Sequence, residues 1–334
     1  MPEDEPLHQP NDKLFKQVFS DPATAAGFLS AYLPEALAAA IDWPALQLEA
    51  GSFIDSQFRH HESDLLFRAP VSGSEVFIYC LFEHQTREDP VIALRLLRYM
   101  VCIWEVWLKK SPGMPLPVIL PVVLAQNDRA WKTLPAFSAM FDLPESLAGE
   151  MGPFIPDFLF RLVQLSEIPF DAIRGTPAGI MVLRVMKAER TNELLGDPVW
   201  DEPLMVQLPP AIFEMLMRFM MNAEVDTEGL RGKVNSIQSN ELKTTAMTLA
   251  QKLRQEGHQE GRQEGRQEGR QEGRQEGRQE ALRDNIIEAL GVRFGNVPPG
   301  LREEIQLLAE EAKLHQLLRT AIQCPTLEAF AAAL

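Results

Sequence analysis

The sequence predicts an α/β chain, with helix, strand, strand, strand, helix, strand in that order over the first 230 residues and a small all-helical unit at the end. Three observations carry this reading. Apolar residues recur at helical spacing across residues 12–33, two apolar runs flank a glycine-bearing turn near residue 73, and an amphipathic run follows Asp89-Pro90. In residues 12–33, Leu14, Phe15, Val18 and Phe19 form one stripe, and Asp21-Pro22 opens a second helix that closes at Leu33-Pro34. LQLEAGSFI, residues 46–54, reads as a strand. From Pro90 to Lys109 a helix runs from an acid-proline start to a lysine-bearing end, which suits the helix dipole. PLPVILPVVLA (115–125) and FLFRLVQL (158–165) read as short buried strands. TPAGIMVLRVMKAE and LPPAIFEMLMRFMM read as further helices.

The two apolar runs, SDLLFRAPV and VFIYCLFEHQT, read as a hairpin. Glycine suits the first central position of a two-residue loop, so Gly73-Ser74 is the expected loop. Facing residues then have numbers summing to 147, which sets Asp64 opposite Glu83. Alternation puts Gln85 on the face of Glu83, together with Phe77, Tyr79 and Leu81. Facing like charges repel, so a bound cation is a natural reason to tolerate the pair. The plain alternative is two solvated carboxylates at strand ends. Acids at the edge of a sheet that is apolar on both faces are costly to bury unpaired, which favours the cation.

Length and composition narrow the class. A chain of 334 residues with 46% hydrophobic and 24% charged residues is large enough for a sizeable core and two domains. No apolar run reaches the roughly 18 to 20 residues needed to span a bilayer. The acidic, proline-bearing start MPEDEPLHQPND is unlike a signal peptide, so the cytoplasm is the expected location. Cys80, Cys102 and Cys324 form no metal-binding or redox motif. A net charge of −15 argues against a protein that coats nucleic acid, while leaving room for a local groove. Residues 87–110 hold five basic and three acidic side chains, so that stretch is locally positive.

Residues 257–280 repeat a tetrapeptide, GHQEGRQEGRQEGRQEGRQEGRQE. A glycine at every fourth position costs about 1 kcal/mol relative to alanine in a helix. Glu260 with Glu264, and Arg262 with Arg266, put like charges at i, i+4, and no opposite charges fall at i+3 or i+4. These costs favour a solvated, extensible linker over residues 231–283. The second reading is a helix stabilised by a partner, with glutamate and arginine stripes pairing between chains. Five arginines against six glutamates speak against a DNA-binding arm. Residues 284–334 read as a small helical unit for docking or oligomerisation, punctuated by Gly295, Pro298-Pro299 and Pro325-Thr326.

Several of these segments, over residues 11–230, resemble the recombination-promoting nuclease and putative transposase family of the wider PD-(D/E)XK nucleases. NDKLFKQVFSDP is similar to the family's opening HDxxFKxxFSDP, with Asn11 in place of histidine. FLSAYLPEALAAAIDW, SFIDSQFRHHESDLLFR, IYCLFEHQT, RLLRYMVCIWE and LPVILPVVL resemble its later segments in order. The RQEG repeats and helical tail are also similar to the segments C-terminal to the nuclease domain in many members. The resemblance implies a restriction-endonuclease-like core over residues 1–230, a mixed central sheet flanked by helices, that cuts DNA. It implies Asp64 and Glu83 as ligands of Mg²⁺, with Mn²⁺ as a substitute, a hard cation that prefers carboxylate oxygen and water. Gln85 stands where the motif has lysine; its amide can orient a water or a phosphate and cannot accept a proton. Asp12 is implied as further metal support and Lys16 as a phosphate contact, although a helix-start acid and a surface lysine explain them equally. Arg95 and Tyr99 are implied as phosphate contacts on the helix after Gln85, which as a plain amphipathic helix needs no such role.

The sequence departs from the family pattern in places. Ser63 precedes Asp64 where proline is common, and Ala125-Gln126-Asn127 replaces a tyrosine-histidine-glycine turn. His84 alternates to the other face from Glu83, and His60-His61 reads as a loop pair. The expected activity is thus a metal-dependent DNA endonuclease that promotes recombination. The alternative is a catalytically inactive DNA-binding or oligomerising protein on the same fold, one that forms homo-oligomers through the repeat or the tail.

Overall fold

The structure, a computed structural model, describes residues 10–49, 65–83 and 88–334. The chain divides into two compact units, Met1–Ala250 and Gln251–Leu334.

The first unit opens with helices α1 (Pro10–Phe19), α2 (Pro22–Tyr32) and α3 (Glu35–Ala40). Asp21 caps α2 by accepting from the Thr24 N–H at 3.0 Å, and Pro22 stands at the first helical position. The stripe expected in α1 forms, with Leu14, Phe15, Val18 and Phe19 all buried and the Phe15 and Phe19 rings stacked at 4.3 Å. Strands β1 (Gln47–Leu48), β2 (Leu65–Val71) and β3 (Ser74–Glu83) come next. After them lie α4 (Ile92–Lys110), β4 (Val118–Ala125), the short α5 (Ala148–Met151) and β5 (Arg161–Gln164). Helices α6 (Pro177–Thr191), α7 (Glu202–Met205), α8 (Pro210–Asn222) and α9 (Thr227–Ser236) complete the series.

The described strands form one mixed sheet in the order β1-β2-β3-β4-β5. β1, β2 and β3 pair antiparallel, whereas β3, β4 and β5 pair parallel. The connection from β3 to parallel β4 runs through α4, as a parallel crossover requires. One sheet face packs on α4, whose buried Ile92, Leu96, Tyr99, Met100 and Ile103 meet Leu66, Ile119 and Val123. Elsewhere α1 and α2 pack on α6. At Gly27 of α2 an added Cβ would lie 3.0 Å from the Thr176 backbone nitrogen, so the two segments approach closely here. The strand expected over residues 46–54 is described only as the two-residue β1, and residues 50–54 lie outside the described residues.

The hairpin register differs from the expected one. Leu65 pairs with Cys80 and Val71 with Ser74, so facing numbers sum to 145 rather than 147. The loop is Ser72-Gly73, with φ of 47° and 83°. Two left-handed central residues make a primed turn whose twist matches that of the strands. The expected turn has glycine first in the loop, while the chain uses it second. Moving the loop by one residue shifts every partner by two, so the side of the sheet assigned to each position is unchanged. Direct opposition of Asp64 and Glu83 is not given by this register, and Asp64 itself lies outside the described residues.

The repeat segment also departs from expectation. It lies within one helix, α10, running Asn240–Phe294, in place of an extensible chain. The physical reason is at its ends, since propagating a helix costs far less than nucleating one. Leu242, Ala246 and Leu249 are buried near its start, and Leu282, Ile286 and Leu290 near its finish. In the second unit those last three residues pack on α11 (Pro299–Gln306), α12 (Glu311–Gln323) and α13 (Leu327–Ala331) through Ile305, Leu314, Leu317 and Phe330.

Candidate active site

Glu83 is the last residue of β3, the middle strand of the sheet. Its backbone pairs with Ala125 at the end of β4, and Ala125 pairs in turn with Gln164 at the end of β5. Three strands therefore finish side by side at one edge. At this edge the apolar runs of the sequence give way to Glu83-His84-Gln85, to Gln126-Asn127 and to Gln164.

The loop leaving β4 folds back over this edge. The Trp131 N–H donates to the Gln164 side-chain oxygen, and the N–H and hydroxyl of Thr133 both donate to Glu88 Oε1. The Thr133 hydroxyl, ahead of the other contacts, holds the Glu88 carboxyl below the ordinary glutamate range. Asp89 accepts from the Val91 N–H at 2.9 Å and pairs with Arg95 at 2.6 Å, which anchors the start of α4.

Gln126 and Asn127 are buried, and Gln126 Oε1 and Asn127 Oδ1 have no hydrogen-bond partner among the described residues. Gln126 Nε2 lies 4.0 Å from Met186 Sδ on α6. One turn further along α6, Glu189 Oε2 accepts from Asn11 Nδ2 at 3.4 Å. Asn11 is likewise buried, with Oδ1 unpartnered among the described residues. Helix α6 thus ties the start of α1 to the end of β4. A cleft of about 640 Å³ between α1, α6 and α8 is lined by Asn11, Lys13, Glu189, Glu214 and Arg218.

The residues singled out from sequence fall into three groups. Asp64 and Gln85, like His60, His61, Ser63 and His84, lie outside the described residues, and Glu83 is placed by its backbone. Asp12 and Lys16 sit one turn apart on α1, Asp12 half-buried and Lys16 exposed. Arg95 pairs with Asp89, and Tyr99 is 5% exposed inside the apolar cluster under α4. Gln126, Asn127 and Glu189 carry no role on sequence grounds. The one signal available is a pair of amides directly after an apolar strand. Among the described residues no group of three His, Cys, Asp or Glu side chains is gathered as a metal site. The oxygen chemistry present at the edge, carboxylate and amide, nonetheless matches what a hard divalent cation and its waters accept.

The sequence of this chain matches a family model. The description "Putative transposase, YhgA-like" matches residues 9–200, more than half of the chain, and the chain belongs to that family. It is 29% identical over 187 residues to "Recombination-promoting nuclease RpnD" of Escherichia coli O157:H7, covering 56% of this chain and 70% of that protein. To "Recombination-promoting nuclease RpnC" of Escherichia coli K12 it is 29% identical, covering 51% of this chain and 55% of the relative. To "Inactive recombination-promoting nuclease-like protein RpnE" of the same strain it is 28% identical, covering 56% and 61%. No solved structure matches the chain. No described helix is long and apolar enough to cross a membrane.

Proposed function

We propose that this chain is a metal-dependent DNA endonuclease on a restriction-endonuclease-like core, acting in the cytoplasm and promoting recombination as its named relatives do. The observation that carries the reading is Glu83, the last described residue of the central strand of a mixed sheet, whose backbone pairs with Ala125 directly before two buried amides, Gln126 and Asn127. Asp64, the residue before β2, and Glu83 would hold Mg²⁺ or Mn²⁺, with Asp12 as further support. The ion, when bound, supplies a Lewis acid for the scissile phosphate and lowers the pKa of an attacking water.

The chain's own residues then have defined tasks. Glu83 and Asp64 bring negative charge to this strand edge, and because carboxylates repel a phosphate they would position it only through the ion they hold. Gln85 orients the water or a phosphate oxygen through its amide and leaves proton transfer to solvent. Lys16, exposed on α1, contacts backbone phosphate. Residues 1–230 would carry this chemistry, residues 231–283 the linking segment that contains the repeat, and residues 284–334 a helical accessory unit.

Plasmid nicking tests the reading. The parent protein is expected to nick supercoiled DNA with Mg²⁺ or Mn²⁺ and to stop with EDTA. Asp64→Ala and Glu83→Ala are each expected to slow cleavage at least about a hundredfold, the scale of losing one preorganised electrostatic group. Cleavage by Glu83→Ala at the parental rate would remove Glu83 from the site.

A second reading is favoured by one observation, glutamine at position 85 in a chain similar to a relative whose name includes "inactive". On that reading the protein binds DNA without cutting it. Retained binding with no nicking under either metal would select it.

A further inference from the structure

The repeat lies in a helix that, taken alone, is electrostatically unfavourable. From Arg254 to Arg278 every described residue is exposed, and a Cβ built on Gly261, Gly265, Gly269, Gly273 or Gly277 would meet nothing within 4 Å. Within one chain the neighbours at i, i+4 are Arg with Arg and Glu with Glu, which repel. Glycine at every fourth position adds a propensity cost at each turn.

The wheel of this helix orders the four residue types. At about 100° per residue, Gly269 has Glu268 and Glu272 to one side, Arg266 and Arg270 to the other, and glutamine behind. Each repeat therefore presents a flat glycine seam with an acidic flank and a basic flank. Turning one such helix by half a revolution about its own direction sets the acidic flank of one copy against the basic flank of the other. An antiparallel pairing sets acid against acid and base against base. The pattern is self-complementary in the parallel sense alone.

We propose that the repeat segment of α10 pairs with the same segment of a second copy of this chain, parallel and in register, with glycine seams inward and glutamate and arginine flanks pairing across. Glycine every fourth residue lets the backbones approach closely. A four-residue period drifts about 40° per repeat on a 3.6-residue helix, in the sense of a right-handed crossing. The interchain ion pairs supply the opposite charges that one chain lacks, and this pairing does not depend on the nuclease reading.

Light scattering on the full chain reads the mass. A dimer is expected at an ionic strength of about 0.05 M, weakening several-fold toward about 1 M, where charges more than about 3 Å apart are screened. A variant with Arg262, Arg266, Arg270, Arg274 and Arg278 all changed to Glu is expected to be monomeric. So is one with Glu260, Glu264, Glu268, Glu272, Glu276 and Glu280 all changed to Arg. An equimolar mixture of the two is expected to recover the dimer mass, which separates lost pairing from lost folding. Oxidative cross-linking reads direction. Gly261→Cys and Gly277→Cys should each link to itself beyond the background of the parent cysteines. A monomeric parent, a mixture that stays monomeric, or linkage only when the two cysteine variants are mixed would each overturn the parallel pair.

Discussion

At the residue scale, polar groups beside the strand ends are held by specific partners. Lys187, 9% exposed on α6, donates from Nζ to the carbonyls of Leu165, Ser166 and Ile168 at 3.0, 3.1 and 2.6 Å. Burial, the larger effect, pushes its pKa down, partly offset by Glu193. Lys187→Met would leave three carbonyls short of a donor, and a loss of about 2 to 3 kcal/mol is expected by urea unfolding. Glu88 works in the acid range. Its folded-state pKa is lowered, chiefly by the Thr133 hydroxyl, so its stabilisation is present above the unfolded pKa and is lost as pH falls through the folded one. Thr133→Val should raise the Glu88 pKa toward its ordinary value in an NMR titration and shift acid unfolding to higher pH. Neither partnership is legible in the sequence. Lys187 sits 19 to 22 residues from its acceptors, and Glu88 sits 45 residues from Thr133.

At the scale of elements, the sequence is legible where one period dominates. The α1 stripe and the α4 face are where helical spacing puts them, and β4 lies in the continuous apolar run that marks a buried strand, because both patterns are local properties. The hairpin shows the limit. Gly73 is recognisable as a turn residue, yet whether it stands first or second in the loop depends on Ser72 accepting a positive φ. That residue carries the left-handed conformation with a Cβ, so Ser72→Asn should stabilise the fold by about 0.5 kcal/mol, seen as a higher denaturation midpoint. At the other extreme, Gly27→Ala should destabilise by about 1 to 3 kcal/mol, because the new methyl meets the Thr176 backbone nitrogen at 3.0 Å as well as the Thr176 side-chain methyl at 3.1 Å. The repeat helix departs from expectation for a related reason. Local costs summed for an isolated segment point to a coil, whereas this segment continues helices already seated at Leu249 and Leu282.

At the scale of the whole molecule, charge and architecture bear on function together. A chain of net charge −15 gains little from non-specific attraction to DNA, so the nuclease proposed above would depend on a few local groups and on a bound metal. DNA affinity is therefore expected to fall only modestly with added salt, with a shallow slope in a filter-binding assay, and cleavage to stop on chelation. What the sequence alone determined is the chemistry and the element types: acids and amides closing apolar strands, the family those segments belong to, and the four-residue pattern of the repeat. These rest on residue identity and short-range periodicity. What only the tertiary structure decided is the hairpin register, the burial of Gln126 and Asn127 against α6, and the helical state of the repeat. Each of these depends on contacts between residues far apart in the chain, or on how strain at one position is shared with its neighbours, and no local spacing encodes them.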